Sequence, residues 1–232
     1  DMDSNTILVN VTFSNNLAEN IGGGMSNYNS NPTITNSTFI SNWANVGGGM
    51  FNDTSSPILT DVQFIKNSAY LGGGMRNMYD SSPSLTRVIF SQNSAGVGGG
   101  MGNYLNSNPI LADVIFVENT STEWAGLGGG MHNEESSPVL TNVTFDRNIA
   151  IYGGGIRNDQ SNPILINVTF SGNSATSGGG EYDFSSSPAI LNSTFTGNSA
   201  TNQGGGIFNT SLPVQIYNTI LCFFTLNSAT SP

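Results

Sequence analysis

The stretch Asn162-Pro-Ile-Leu-Ile-Asn-Val-Thr-Phe-Ser-Gly-Asn-Ser-Ala-Thr-Ser-Gly-Gly-Gly180 reads as one unit of a repeating structure. A proline opens it and Leu165 follows two residues later. Val168 and Phe170 then alternate, Asn173 comes three residues after the phenylalanine, and a glycine triplet closes the unit. Working outward, the same order recurs along all of the repeated chain. The triplets begin at Gly22, Gly47, Gly72, Gly98, Gly128, Gly153, Gly178 and Gly204, in steps of 25, 25, 26, 30, 25, 25 and 26 residues. The phenylalanine recurs at Phe13, Phe39, Phe64, Phe90, Phe116, Phe145, Phe170 and Phe195. An asparagine follows each by three: Asn16, Asn42, Asn67, Asn93, Asn119, Asn148, Asn173 and Asn198. Self-similarity at such a period marks a solenoid rather than a globular core.

Each unit divides into three short strands and three turns. The first carries the aliphatic residue after proline, from Ile34 to Ile190. The second points pairs such as Val62 with Phe64 and Val88 with Phe90 to one side. The third is the triplet plus Met25, Met50, Met75, Met101, Met131, Ile156 or Ile207. Every segment is too short and too rich in Gly, Pro, Asn and β-branched residues for a helix. A second asparagine column runs Asn27, Asn52, Asn77, Asn103, Asn133, Asn158, Asp183, Asn209. Both columns read as ladders in which an amide donates to one coil and accepts from another. Asn42, Asn67, Asn93, Asn148, Asn173 and Asn198, with Phe64, Phe90, Phe116 and Phe170, are the structural positions expected to hold the coils together. A leucine-rich horseshoe shares some of this spacing. Its outer arc would have to be Gly-Gly-Gly-Met-x-Asn-x-x-Ser-x-Pro, which cannot form a helix. The calcium-binding nonapeptide solenoid lacks its aspartates here. The expected fold is all-β, a parallel β-helix of about eight to nine coils of roughly 26 residues. It forms a single domain over 1–232, with repeats over 4–209 and an irregular C-terminal coil over 210–232.

Composition narrows the function. The 232 residues include 15 acidic and 5 basic side chains, a formal charge of −10, and 32 asparagines. Five cations cannot neutralise a run of phosphates, which argues against nucleic acid and against anionic membranes as main partners. One cysteine excludes an internal disulfide framework and a zinc knuckle. No apolar run approaches the roughly 20 residues that span a bilayer, so membrane insertion is not expected. An opening Asp1 in place of methionine suggests a mature or excised segment.

Phe-x-x-Asn alternating with Gly-Gly-small-aliphatic, over residues 4–209, resembles the repeats of the polymorphic outer membrane proteins. That resemblance implies a right-handed parallel β-helix displayed on a bacterial surface. It also implies an extracellular or cell-surface location, and a family whose members include adhesins and structural layers. The chain departs in using Gly-Gly-Gly-Met, and no autotransporter barrel accompanies the repeats.

Residues that break the repeat are the places for chemistry. The interval from Asn119 to Gly128 is about four residues longer than its equivalents and carries Glu123 and Trp124. Nearby turns carry His132, Glu134, Glu135, Arg157, Asp159, Glu181 and Asp183, expected along one flank. Carboxylates beside an aromatic platform suit sugar binding or acid/base work on glycosides. Glu123, Trp124, His132, Glu134 and Asp159 are therefore the candidate ligand contacts, against the plainer reading of a solvated acidic edge. His132 has no Ser or Cys partner at a motif spacing and reads as an exposed strand residue. A metal site is not expected, because Glu134, Asp159 and Asp183 converge only loosely. No cofactor is expected, and no catalytic residue stands out. Arg87, between Asp61 and Asp113, reads as an ion-pair ladder. Partial threonine columns (Thr35, Thr60, Thr86, Thr141; Thr12, Thr38, Thr144, Thr169, Thr194) raise ice binding as a third possibility. Gln63, Ile89 and Ile115 interrupt the second of them. Among eight N-x-[ST] sequons, Asn119 is the expected acceptor because it adjoins the insertion.

The expectation is thus a non-enzymatic surface β-solenoid, structural or adhesive. Its expected partners are the rest of a longer solenoid or further copies of itself, with surface glycans as a further class. Ser4-Asn5-Thr6 at one end and Phe223-Phe224 at the other suggest incompletely capped ends.

Overall fold

A computed structural model describes residues 3–123, 125–210 and 213–222, and every regular element in it is a short strand. The strands stack coil on coil into parallel sheets. One sheet of nine runs from Ile7–Val9 to Gln215–Tyr217, a second of nine from Thr12–Ser14 to Ile220–Cys222, and a third of eight from Met25–Tyr28 to Ile207–Asn209. The register is column for column, Leu59 beside Leu85, Phe90 beside Phe116, Met75 beside Met101. The fold is the expected parallel β-solenoid.

Two details of the coil differ from expectation. The third strand starts at the methionine, not in the triplet: the glycines bond from coil to coil as a bend, Gly48 N to Gly72 O at 3.1 Å and Gly49 N to Gly73 O at 3.0 Å. A fourth line of pairing also exists. It begins as single bridges, Trp43 to Ser68 to Ser94 to Thr120, and becomes a sheet of four over Thr120–Ser121, Ile149–Ala150, Ser174–Ser177 and Ser199–Gln203. Its side chains mix Leu17, Trp43 and Ile149 with serines and threonines and carry no aliphatic alternation, so nothing in the hydrophobic pattern announces it.

The interior is a set of like-on-like columns. Ile34, Leu59, Leu85, Leu111, Leu140, Leu165 and Ile190 are buried, as are Val62, Val88, Val114, Val143 and Val168. The rings from Phe13 to Phe195 stack with centroids 4.4 to 5.0 Å apart and planes within 11° of parallel. That separation is the strand spacing of a sheet, so the backbone ladder sets the ring stack.

The triplet needs glycine for two different reasons. Its first member takes a left-handed backbone, φ +66° at Gly72, which disfavours side chains. Its second and third members are close approaches: a Cβ on Gly73 would stand 2.5 Å from both Gly99 O and Ser94 O. Other corners use single left-handed residues. Asn10, Asn36, Asp61, Arg87, Asp113, Asn142, Asn167 and Asn192 all have φ between 49° and 57°. Asn and Asp tolerate this region best. Arg87 does so while holding Asp61 through both nitrogens, Nε to Oδ1 at 2.7 Å and Nη2 to Oδ2 at 2.9 Å. The ladder is shorter than expected, since Asp113 accepts from Asn142 Nδ2 at 3.0 Å instead.

Both asparagine columns are buried hydrogen-bond ladders. Asn67 Nδ2 donates to Asn93 Oδ1 in the following coil and to Phe39 O in the preceding one. Asn93 Oδ1 also accepts the Asn67 backbone N–H at 2.9 Å. The second ladder runs Nδ2 to Oδ1 at 2.8 to 2.9 Å from Asn27 to Asp183. Asn119 is a rung of the first ladder, fully buried and donating to Asn148 Oδ1 and Phe90 O. Its sequon is therefore not open to a glycosyl donor, contrary to the reading from the insertion. The sequons at Asn10, Asn36, Asn142, Asn167 and Asn192 sit instead at exposed left-handed corners.

Candidate functional site

Strand alternation turns Met131 and Asn133 inward and His132 and Glu134 outward. His132 is nevertheless 1% exposed. A line of residues just before the triplets folds back over the outer face of the third sheet. Val46, Leu71, Val97, Leu127 and Tyr152 form one bridged row, coil to coil. This row covers the outward column that Phe51, Arg76, Gly102, His132 and Arg157 share in register. The expectation of an exposed histidine fails because alternation specifies the side of the strand, not what packs there.

His132 and Arg157 of this covered column form one network with Asp159, which stands in register with Glu134. The Asp159 carboxylate accepts Arg157 Nε and Nη2, both at 2.8 Å, and lies 2.9 Å from His132 Nε2. Arg157 lies between two aromatic faces, 5.3 Å from the Tyr152 centroid and 4.9 Å from that of Tyr182. Burial lowers the His132 pKa, partly offset by Asp159. The imidazole is therefore neutral at physiological pH, with its proton on Nε2 facing the carboxylate and Nδ1 left as an acceptor. Hydrogen bonds from His132 and Arg157 hold Asp159 below the usual carboxylate range despite its burial. Each member is held by the others, as in a structural clamp.

Arg76 is different. It is 4% exposed, no ion pair among the described residues includes it, and its Nε and Nη1 lack hydrogen-bond partners. Burial pushes its pKa down to about 10, with Glu134 opposing, so it stays charged at neutral pH. Its guanidinium lies 5.4 Å from the Tyr104 ring centroid. A cavity of about 330 Å³ opens beside it, walled by Leu71, Met78, Val97, Ala125 and Leu127 with Tyr104, His132 and Glu134.

A second cleft, of about 350 Å³, shares no lining residue with this cavity and is lined by Trp43, Tyr70, Ser68, Ser94, Thr120, Thr122 and Glu123. Of the five residues expected to form one site, His132 and Glu134 share a cavity, and Asp159 meets His132 alone. Glu123 belongs to the other cleft. Trp124 lies outside the described residues. The aromatic platform that sequence reasoning missed is Trp43 with Tyr70, whose rings meet edge to face at 6.4 Å.

Glu181 and Asp183 do not join that flank. Glu181 occupies the methionine column and Asp183 an asparagine rung, both inward and fully buried. Asn158 Nδ2 donates to both, at 2.9 and 2.8 Å. Glu181 Oε2 and Asp183 Oδ2 have no hydrogen-bond partner among the described residues. Burial raises both pKa values, that of Glu181 well above its usual range and that of Asp183 to about 7. No group of three or more metal-ligating side chains occurs among the described residues.

Comparison with known proteins agrees with this architecture. Residues 192–210 match the model of the Chlamydia polymorphic membrane protein repeat. The matched stretch carries the Phe195-x-x-Asn198 and Gly204-Gly-Gly-Ile207 elements found in the other coils. No curated protein matches the chain. A trypsin-treated variant of QnrB1, a plasmid-mediated fluoroquinolone resistance protein, aligns over 93% of this chain and 91% of its own. The identity is 12% and the TM-score 0.20, a likeness that carries no argument. By its sheets the chain is a parallel β-solenoid, and one stretch of it, residues 192–210, is similar to the Chlamydia polymorphic membrane protein repeat.

Proposed function

We propose that the chain is a non-enzymatic structural and adhesive segment of a surface protein. The observation that carries this reading is the unbroken register of the three long sheets, with both polar ladders inside them. The buried amides and the Asp159 network are engaged in holding coil to coil, which suits a stiff rod that displays its outer faces. The strands Ile7–Val9, Thr12–Ser14 and Met25–Tyr28 are paired on one side only among the described residues. Their open edges suit another coil of the same pitch, from the same polypeptide or from a second copy. Head-to-tail contact between copies does not close, so copies would form open filaments. Electron microscopy of the purified chain tests this: filaments or longer stacks are expected. A strictly monomeric particle at tens of micromolar with protected edge amides would refute self-assembly.

A glycan contact is favoured specifically by the Trp43–Tyr70 cleft. Aromatic rings flanked by Ser68, Ser94, Thr120 and Thr122 hydroxyls and the Glu123 carboxylate suit a sugar's apolar face and its hydroxyls. A glycan array should give hits that Trp43→Ala and Tyr70→Ala remove. Pectate, alginate, chitin and xylan should remain uncut. Product release that disappears in Glu123→Gln or Asp159→Asn would overturn the non-enzymatic reading.

A further inference from the structure

Arg76 stands in a place prepared for it. Every neighbouring coil in its column presents a side chain, Phe51 before it and His132 and Arg157 beyond, except the one directly after, which has Gly102. Gly102 does not have a left-handed backbone. A Cβ there would stand 2.7 Å from Arg76 Nη1, and its nearest neighbours are all atoms of Arg76. The glycine therefore leaves room for the guanidinium to lie along the stack toward His132. The result is a buried cation without an ion-pair partner, two of its nitrogens unbonded, in the wall of a cavity.

Buried charges are ordinarily paired, because a low-dielectric site disfavours a lone ion. Arg157, three coils further along the same column, shows the usual solution in its bidentate bond to Asp159. Arg76 has no such acid. Glu134, on the half-exposed rim, is near enough to act through the field without forming an ion pair. The remaining walls are largely apolar, from Leu71, Met78, Val97, Ala125 and Leu127, with the Tyr104 ring to one side.

We propose that this cavity binds a monocarboxylate bearing a compact apolar or aromatic group, its carboxylate on Arg76 and its apolar body against Leu71, Val97 and Leu127. Planar carboxylate matches the fork of a guanidinium. The volume admits a small acid or the last residue of a peptide, and both offer the same chemistry. The site is independent of any glycan contact at the Trp43–Tyr70 cleft, since the two cavities share no lining residue.

The test is thermal unfolding and calorimetric titration of the whole chain with isovalerate and benzoate. Controls are isovaleramide and benzamide, the amides of the same shape, with galacturonate, inorganic sulfate and phosphate. N-acetyl-leucine, set beside free isovalerate, distinguishes a peptide end from a free acid. Expected are a saturable rise in unfolding temperature with the apolar carboxylates and none with their amides. Arg76→Gln should weaken binding about 10- to 100-fold, the loss of a charge-assisted bond. Gly102→Ala, which keeps the arginine but displaces its guanidinium, should weaken it too and guards against a misfolded Arg76 variant. Glu134→Gln, which removes a rival charge, should tighten it. No protection by any carboxylate, equal protection by sulfate, phosphate or galacturonate, or binding that survives both Arg76→Gln and Gly102→Ala would overturn the proposal.

Discussion

Asn93→Ala puts the polar ladder to a direct test. Asn93 Oδ1 accepts the backbone N–H of Asn67 at 2.9 Å and Asn67 Nδ2 at 3.0 Å. Its Nδ2 donates to Phe64 O at 2.9 Å and to Asn119 Oδ1 at 3.0 Å. When this side chain is removed, Asn67 Nδ2 keeps its bond to Phe39 O and Asn119 Oδ1 keeps the Asn93 backbone N–H. The Asn67 N–H and the Phe64 carbonyl lose the partner Asn93 supplied. At about 1–3 kcal/mol for each buried group left unmet, the substitution should cost roughly 2–6 kcal/mol. Asn198→Ala is the comparison. It breaks the same bonds to Asn173 and Phe170 O, but at a half-exposed rung that water can reach. Its cost should stay near 1 kcal/mol, the net worth of a solvated bond. Urea unfolding gives the stability difference. Amide exchange at Asn67 reports the rung itself, which matters because solenoids can open locally. Equal costs at the two positions, or an Asn67 amide as protected in Asn93→Ala as in the parent chain, would refute the ladder as a stabilising element.

Further expectations follow from the columns. Phe90→Ala removes a fully buried ring stacked at 4.8 and 4.7 Å on its neighbours and should cost about 3–5 kcal/mol in chemical denaturation. An unchanged midpoint would contradict the ring stack. Gly73→Ala drives a methyl toward two backbone oxygens and should cost about 1–3 kcal/mol or more; a neutral result would deny the close approach. The Glu181–Asp183 pair predicts a pH slope. An unfolded carboxyl titrates near about 4, while burial raises Asp183 to about 7 and Glu181 above its usual range. The folded chain thus keeps protons that the unfolded chain has lost, so stability is greatest below about pH 4 and falls as pH rises through about 7. Asp183→Asn should flatten that slope, gaining more at about pH 8 than at about pH 4. Equal gains at both would show that Asp183 does not titrate in this window.

The phenylalanine, leucine and asparagine columns were legible because each position is sampled seven or eight times, so periodicity alone identifies which side chains face in. The covered column was not. Arg76 and His132 sit at outward strand positions, and their burial depends on the row from Val46 to Tyr152 folding back over them. A signal for that row was present: an apolar residue stands immediately before six of the triplets, at Ile21, Val46, Leu71, Val97, Leu127 and Tyr152. Gly102, a glycine outside the triplets directly after Arg76 in the column, was a second. Glu181 was legible too, since its place in the methionine column already implies burial; reading it as part of an acidic flank ignored that register. The fourth line of pairing left no periodic trace, since Leu17, Trp43, Ser68, Thr120, Ile149 and Ser174 share no side-chain type and backbone geometry decides their pairing.

The two amide ladders have a direction. In each, successive Nδ2 groups hand one hydrogen to the side-chain oxygen of the coil that follows, from Asn16 toward Asn198 in one and from Asn27 toward Asp183 in the other. Parallel amide dipoles add along the stack, giving the rod an acceptor-rich leading end and a donor-rich trailing end. Asn27 Oδ1, the first acceptor of its row, has no partner among the described residues. Asp183, when ionised, receives a hydrogen from Asn158 and has none to pass on, so its charge state governs whether that row can extend by another donor. Two such rods meeting leading end to leading end would oppose acceptor to acceptor. Electrical polarity, as much as shape, therefore sets the sense in which coils of this type can be added.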